Sequence, residues 1–130
     1  MLKTYLAVAL GGAAGTTLRL WLSSFVAARY GETFPVGTLV VNVSGCFVIG
    51  LFNGLTSPEG VIFTSSLTRQ VVMIGVLGGF TTFSSFTLQT LILLNDGEWL
   101  RGCMNVLLSI ALCLLGVWLG QSLAAFLNQR

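Results

Sequence analysis

Gly75-Val76-Leu77-Gly78-Gly79-Phe80-Thr81-Thr82-Phe83-Ser84-Ser85-Phe86-Thr87 sits at the centre of an uncharged block that runs from Gln70 to Asn95. Such a block is long enough to cross a hydrocarbon core of roughly 30 Å, which takes about 20 helical residues. Counted from Gln70 to Leu94, Thr81 and Thr82 fall at midplane depth. A glycine pair followed by five hydroxyl residues in seven positions makes a poor continuous helix, since each interior Gly costs up to about 1 kcal/mol relative to Ala. The stretch therefore predicts a helix broken near the midplane, at Gly78-Gly79. A break at that depth frees backbone carbonyls and amides, and it is tolerated only where protein buries them or a polar cavity meets them. Broken spans with carbonyls aimed inward are one way membrane proteins hold small cations.

Working outward, Thr33 to Pro58 and Gly102 to Gln129 are also free of charge, and Thr4 to Ala28 is interrupted only by Arg19. The reading is an all-α membrane protein with four transmembrane helices, over about 4–28, 36–56, 70–94 and 102–127, in one membrane domain spanning 1–130. Of the 130 residues 55% are hydrophobic and 8% charged, against about 25% charged in soluble domains. The connections 29–35, 57–69 and 96–101 are too short to hold a soluble domain, which places the function inside a cell membrane crossed several times. The first block reads as a span and not as a cleaved leader, being too long and lacking a clear small-x-small site.

The charges that remain bear on orientation. With four spans both termini lie on one side, together with Lys3, Arg69 and Arg130; Arg29 and Arg101 fall on the other. Orientation follows the Lys/Arg imbalance in short flanking segments. Three against two is a weak bias, so the chain is expected to insert either way up, and copies of opposite orientation can pair.

Chemistry narrows the function classes. There is no histidine, and Cys46, Cys103 and Cys113 lack CxxC spacing, so they read as small packing residues and not as a disulfide framework or zinc site. No activated nucleophile with a base and no nucleotide motif is present, so neither an enzyme nor a nucleic-acid partner is expected. Small polar stripes recur at helical spacing: Thr38, Asn42 and Gly45-Cys46 in the second span, and Asn105, Ser109, Cys113, Gly116 and Gly120 in the fourth. Close helix packing explains most of them, as it does the Gly11–Gly15 pair of the first span. The Asn42 amide asks for more, because a buried polar group in a membrane marks a path or a polar contact.

Phe83 and Phe86 are three apart and share a face if the helix resumes there. A phenyl edge carries the positive end of the ring quadrupole and can face an anion without a titratable charge. Hydroxyls, one amide, ring edges and one arginine are donors, which suits a small anion that accepts strong hydrogen bonds. Arg19 either snorkels to the interface or lines a vestibule, since a charge exposed to lipid is costly.

These residues are similar to the CrcB/Fluc family of fluoride channels over nearly the whole chain. The matching motifs are Gly11-Gly12-x-x-Gly15-x-x-x-Arg19, Gly37-Thr38-x-x-x-Asn42-x-x-Gly45 and Gly75-x-x-Gly78-Gly79-x-Thr81-Thr82-Phe83-Ser84-x-Phe86. The last is the specific one. Phe80 stands where Leu is common, Ser85-Phe86-Thr87 where Thr-Phe-Ser is common, and Cys113 where a hydroxyl residue is expected. The resemblance implies a fluoride-selective channel that exports fluoride passively and lowers its toxicity inside the cell. It implies a dual-topology antiparallel homodimer with two pores. It also implies a structural, non-transported sodium ion held by the backbone carbonyls of Gly78 and Thr81, two from each copy. Phe83 and Phe86 would contact fluoride, with Asn42, Ser84, Ser109 and Thr38 along the path and Arg19 at the vestibule.

Two other classes fit a four-span chain of this size. A small dual-topology multidrug transporter would carry a carboxylate within a span, which the sequence lacks. A non-catalytic membrane assembly protein would leave the midplane hydroxyl cluster unexplained.

Overall fold

The computed structural model describes residues 1–129; Arg130, one of the cations weighed for orientation, lies outside the described residues. All regular structure among them is helical, and four helices are long and apolar enough to cross a membrane: Leu2–Tyr30, Val36–Leu55, Ser66–Asn95 and Trp99–Asn128. They are called the first to fourth spans below. Three of them extend a few residues past the expected ends, because the flanking residues continue the helix into the interface. Left-handed glycines punctuate two turns: Gly31 (φ 77°) closes the first span and Gly97 (φ 79°) follows the third. Only glycine adopts that conformation without a Cβ penalty.

Small residues set the packing. The second span lies along the fourth, with Gly50 against the Val117 backbone, Gly120 against that of Phe47 and Gly54 against Ala124. The first span lies along the N-terminal half of the third, where Gly11 faces Val71 and Gly15 faces Val76 and Phe80. Backbones this close gain dispersion contacts that bulky side chains would prevent, which is how helices associate in lipid. The large apolar side chains point the other way. Leu10, Trp21, Leu107 and Trp118 are all exposed on the outside of the bundle, where lipid tails would cover them.

The third span is composite. It begins as an α-helix at Ser66–Gln70, with Ser65 capping the Thr68 amide at 3.1 Å. It widens into π turns over Val71–Leu77 and returns to α geometry for Gly78–Phe80. Thr81 and Thr82 are then extended, at φ −78°, ψ 157° and φ −149°, ψ 112°, and the helix restarts at Phe83. The break is therefore real but displaced from the expected position. Gly78 and Gly79 are helical, and the chain leaves the helix at Thr81-Thr82. Gly79 serves packing instead. A Cβ there would lie 2.6 Å from the Gly12 carbonyl oxygen, so its missing side chain lets the first and third spans touch.

At the end of the membrane that holds the N-terminus, the loop after the second span is tied down. Arg69 donates to the Thr56 carbonyl at 2.7 Å and to Asn53 Oδ1 at 2.9 Å. Asn128 of the fourth span donates to the Gly54 carbonyl and accepts from the Val61 amide, both at 3.1 Å. These bonds hold the ends of three spans in fixed register.

Candidate functional site

The polar centre of the molecule is the break itself. Interrupting a helix orphans the last carbonyls of one segment and the first amides of the next, and at midplane depth each orphan is expensive. Side chains from three places meet that demand. Asn42 of the second span takes both polar groups of Thr82: its Oδ1 accepts from the Thr82 amide at 2.8 Å, and its Nδ2 donates to the Thr82 carbonyl at 3.0 Å. Thr82 is also the N-cap of the restarted helix, its Oγ1 accepting from the Ser85 amide at 3.2 Å. From the first span, Thr16 Oγ1 donates to the Gly79 carbonyl and Arg19 Nη1 to the Thr81 carbonyl, each at 3.3 Å. Leu77, the last carbonyl before the break to keep an amide partner four residues on, accepts from both the amide and the hydroxyl of Thr81 at 2.9 Å.

One carbonyl is released by this arrangement. In a continuous helix the Thr82 amide would bond the carbonyl of Gly78, four residues back, but Asn42 has taken it. Gly78 is exposed on the bundle surface and Thr81 is half-buried. The two oxygens expected to face a sodium ion are thus both outside the helical ladder, and they are hard donors. The long bond from Arg19 is what a cation at the Thr81 oxygen would have to displace.

Beside the break lies an open cavity of about 770 Å³ between the first two spans and the C-terminal half of the third. Its polar lining includes Thr16, Arg19, Ser23, Thr38, Thr82, Ser85 and Gln89, and its rim includes Glu32 in the loop 31–35. Arg19 and Thr38 therefore line the same cavity. The polar part of the wall is hydroxyls, one amide and one guanidinium, set among apolar residues such as Leu20, Val41 and Ile92, with Glu32 in the loop. The Oε1 atom of Gln89 is buried with no hydrogen-bond partner.

The other expected residues lie on a different side of the restarted helix. Phe83 and Phe86 are neighbours, with ring centroids 5.5 Å apart and planes tilted by 51°. They differ in setting: Phe86 is buried, whereas Phe83 is 77% exposed. Ser84 is exposed, with its Oγ 3.3 Å from Thr82 Oγ1, and it does not line the cavity. Ser85 does, and it also accepts from Thr82 Oγ1 at 3.0 Å.

On the fourth span, Asn105 is 2% exposed. Its Nδ2 donates to Thr90 Oγ1 at 2.9 Å, and Thr90 donates on to the Phe86 carbonyl at 2.8 Å. Asn105 and Thr90 face each other on antiparallel helices, so one turn further along that register Ser109 comes level with Phe86. Ser109 is buried. The structure thus brings Arg19, Thr38, Asn42 and Thr81 together around the break and sets Phe83, Phe86 and Ser109 along the adjoining face.

Several polar residues at the site lie outside the expected set, among them Thr16, Ser23, Thr82, Ser85, Gln89 and Thr90. Thr82 and Ser85 carried a readable signal, a hydroxyl N-cap three residues before another hydroxyl. Gln89, one turn after Ser85, follows from the same face. Thr90 becomes visible only through its partner Asn105.

A family model described as CrcB-like protein, Camphor Resistance (CrcB), matches residues 6–121. The fluoride-specific ion channel FluC of Opitutus terrae is 58% identical over 127 residues, covering 98% of this chain and 96% of that protein. The protein of the same name from Rhodospirillum rubrum is 54% identical over 126 residues, covering 97% and 98%. That of Paramagnetospirillum magneticum is 55% identical over 126 residues, again covering 97% and 98%.

Proposed function

The chain belongs to the CrcB family, and from that premise we propose that it is a fluoride-specific ion channel, a multi-pass protein of the cell membrane through which fluoride leaves passively. The observation that carries this reading is the interrupted third span. Its break is satisfied by neutral hydroxyl and amide groups and one guanidinium, and a phenylalanine pair flanks it. Fluoride holds its water tightly, so a path must offer donors and positive ring edges already in place. Fixed dipoles of this kind need no reorganisation as the ion arrives. The test is fluoride efflux from liposomes containing the purified protein, with chloride as the control anion. Rapid fluoride efflux with no chloride efflux is expected; equal rates for the two anions, or neither moving, would count against it.

The channel works as an antiparallel homodimer in this reading. Support comes from the exposed face of the break. Gly78, Phe83 and Ser84, which flank the non-helical Thr81-Thr82, all lie on the surface of the single chain, and a carbonyl released from the helix, as that of Gly78 is, is costly against lipid. A second copy covers it. C-terminal reporters specific for each side of the membrane should then both register; a single orientation in all molecules would remove the antiparallel arrangement.

The Gly78 and Thr81 carbonyls of the two copies would hold sodium at the dimer axis. The ion would supply positive charge at the centre of the assembly and fix the two breaks against each other, without being transported. Sodium replaced by a larger organic cation throughout purification and reconstitution should abolish fluoride efflux, and addition of sodium should restore it. Unaltered efflux without sodium would eliminate the site.

Along the path, the cavity beside Arg19 and Thr38 serves as the vestibule. Phe83, Phe86, Ser84 and Ser109 supply ring edges and donors further in, with Asn42 holding the break beside them.

A further inference from the structure

Cys46 and Cys113 meet across the interface of the second and fourth spans. The two helices run parallel, and their register is fixed by the contacts of Gly50 with Val117 and of Gly54 with Ala124. One turn back along both helices the same register sets Cys46 beside Cys113. A Cβ on Gly116, which shares a face with Cys113, would lie 3.6 Å from Cys46 Cβ. The thiols of Cys113 and Cys46 are close enough to interact electrostatically. Both are free thiols and neither is fully buried. Cys103, the third thiol, is exposed, and lies roughly 15 Å from Cys113 along the same helix at about 1.5 Å per residue.

We propose that Cys46 and Cys113 form a dithiol site for a soft centre that seeks two sulfurs, a trivalent arsenical, and that its occupation stops ion flow. Sulfur ligands select soft centres over hard ones. Two thiols on rigid, closely packed helices are held as a pair before any ligand arrives, so little ordering accompanies the second bond. With an arsenoso compound, two S–H bonds break and two As–S bonds form. The arsenoso oxygen leaves as water with both protons. Arsenic stays in the trivalent state, so no oxidant or reductant is needed.

The consequence for flow rests on the fluoride-channel reading. Cys113 is one turn after Ser109 on the same helical face, and Ser109 comes level with Phe86. The interface has no slack to absorb an added group, since a Cβ on Gly116 would already lie 3.0 Å from the Val43 carbonyl oxygen. An arsenical bridging the thiols must therefore shift the second span against the fourth beside the path.

The experiment uses phenylarsine oxide, a neutral membrane-permeant probe, on the full-length protein in liposomes. The Cys103→Ala variant should gain one phenylarsenic group per chain by intact mass and lose at least about tenfold in fluoride efflux. The dithiol 2,3-dimercaptopropanol should reverse both changes. In the same background, Cys46→Ala and Cys113→Ser should each abolish the stable adduct, while Cys103→Ala alone should leave untreated efflux as it was. An adduct that persists with one of the pair removed, or no adduct on Cys103→Ala, overturns the site. An adduct with unchanged efflux overturns the block. The mass readout does not depend on transport, so failure of the site is separable from failure of the channel reading, which untreated protein tests alone.

Discussion

Replacing Phe86 with isoleucine is expected to lower fluoride efflux per folded protein by about tenfold or more, equivalent to about 1.4 kcal/mol at the barrier, with a smaller change in stability. Phe86 is a buried residue of the restarted helix, and an apolar swap of similar volume commonly costs under about 1.5 kcal/mol. What isoleucine lacks is the ring quadrupole, whose positive edge can face an anion. Phe83→Ile is the sharper case. With 77% of the residue exposed in the single chain, the ring contributes little to the packing of one copy, so a loss of flux there cannot be assigned to a weakened fold. The measurement is electrode-detected efflux from liposomes, normalised to folded dimer. Wild-type flux per dimer in both variants would remove the rings from the path and leave only its hydroxyls and amides. A fall that tracks the amount of folded dimer would make the rings packing residues.

Much of this architecture is legible because a bilayer imposes long-range order on sequence. Uncharged blocks of sufficient length mark four spans, and the hydroxyl cluster at the centre of the third announces an interruption. The position of that interruption is another matter, since glycine content alone puts it too early. The helix penalty of glycine is about 1 kcal/mol, a local quantity. What decides the position is non-local: Gly79 must be bare where it meets the Gly12 carbonyl, and the break falls where Asn42 can reach the Thr82 backbone. No periodicity in the third span reports on a residue of the second.

The choice between Ser84 and Ser85 is hidden for a related reason. Adjacent helical residues point about 100° apart at 3.6 residues per turn, so which hydroxyl turns toward the cavity depends on the residue at which the helix restarts. Once Thr82 is known as the cap, Ser85 and Gln89 follow. The thiol pair belongs to the same class of omission. Cys46 and Cys113 each read singly as small packing residues, and only the register of two glycine-rich helices shows that they are neighbours.

Asn42→Ala is expected to cost about 1–3 kcal/mol of stability and to abolish most of the fluoride flux. Both effects have one origin. The sequence marks Asn42 as a donor on an ion path, whereas the structure commits both ends of its amide to Thr82. Removing the amide leaves the Thr82 N–H without an acceptor in a residue that is 8% exposed. An orphaned buried donor carries the full desolvation penalty, and the remedy open to the chain is to let Thr82 regain the Gly78 carbonyl. That straightens the third span. It also withdraws the Gly78 oxygen from the exposed face and moves Thr81 away from Arg19, so the features proposed to carry ions change together. Hydrogen exchange at the Thr82 amide separates this clamp from a purely conductive role. If Asn42 holds the break open, the alanine variant alters Thr82 protection as well as flux, whereas Phe83→Ile alters flux alone. Loss of flux with unchanged stability and unchanged Thr82 exchange would make Asn42 a donor on the path and nothing more, and the break would then have to be held by Thr16, Arg19 and the Thr82 cap.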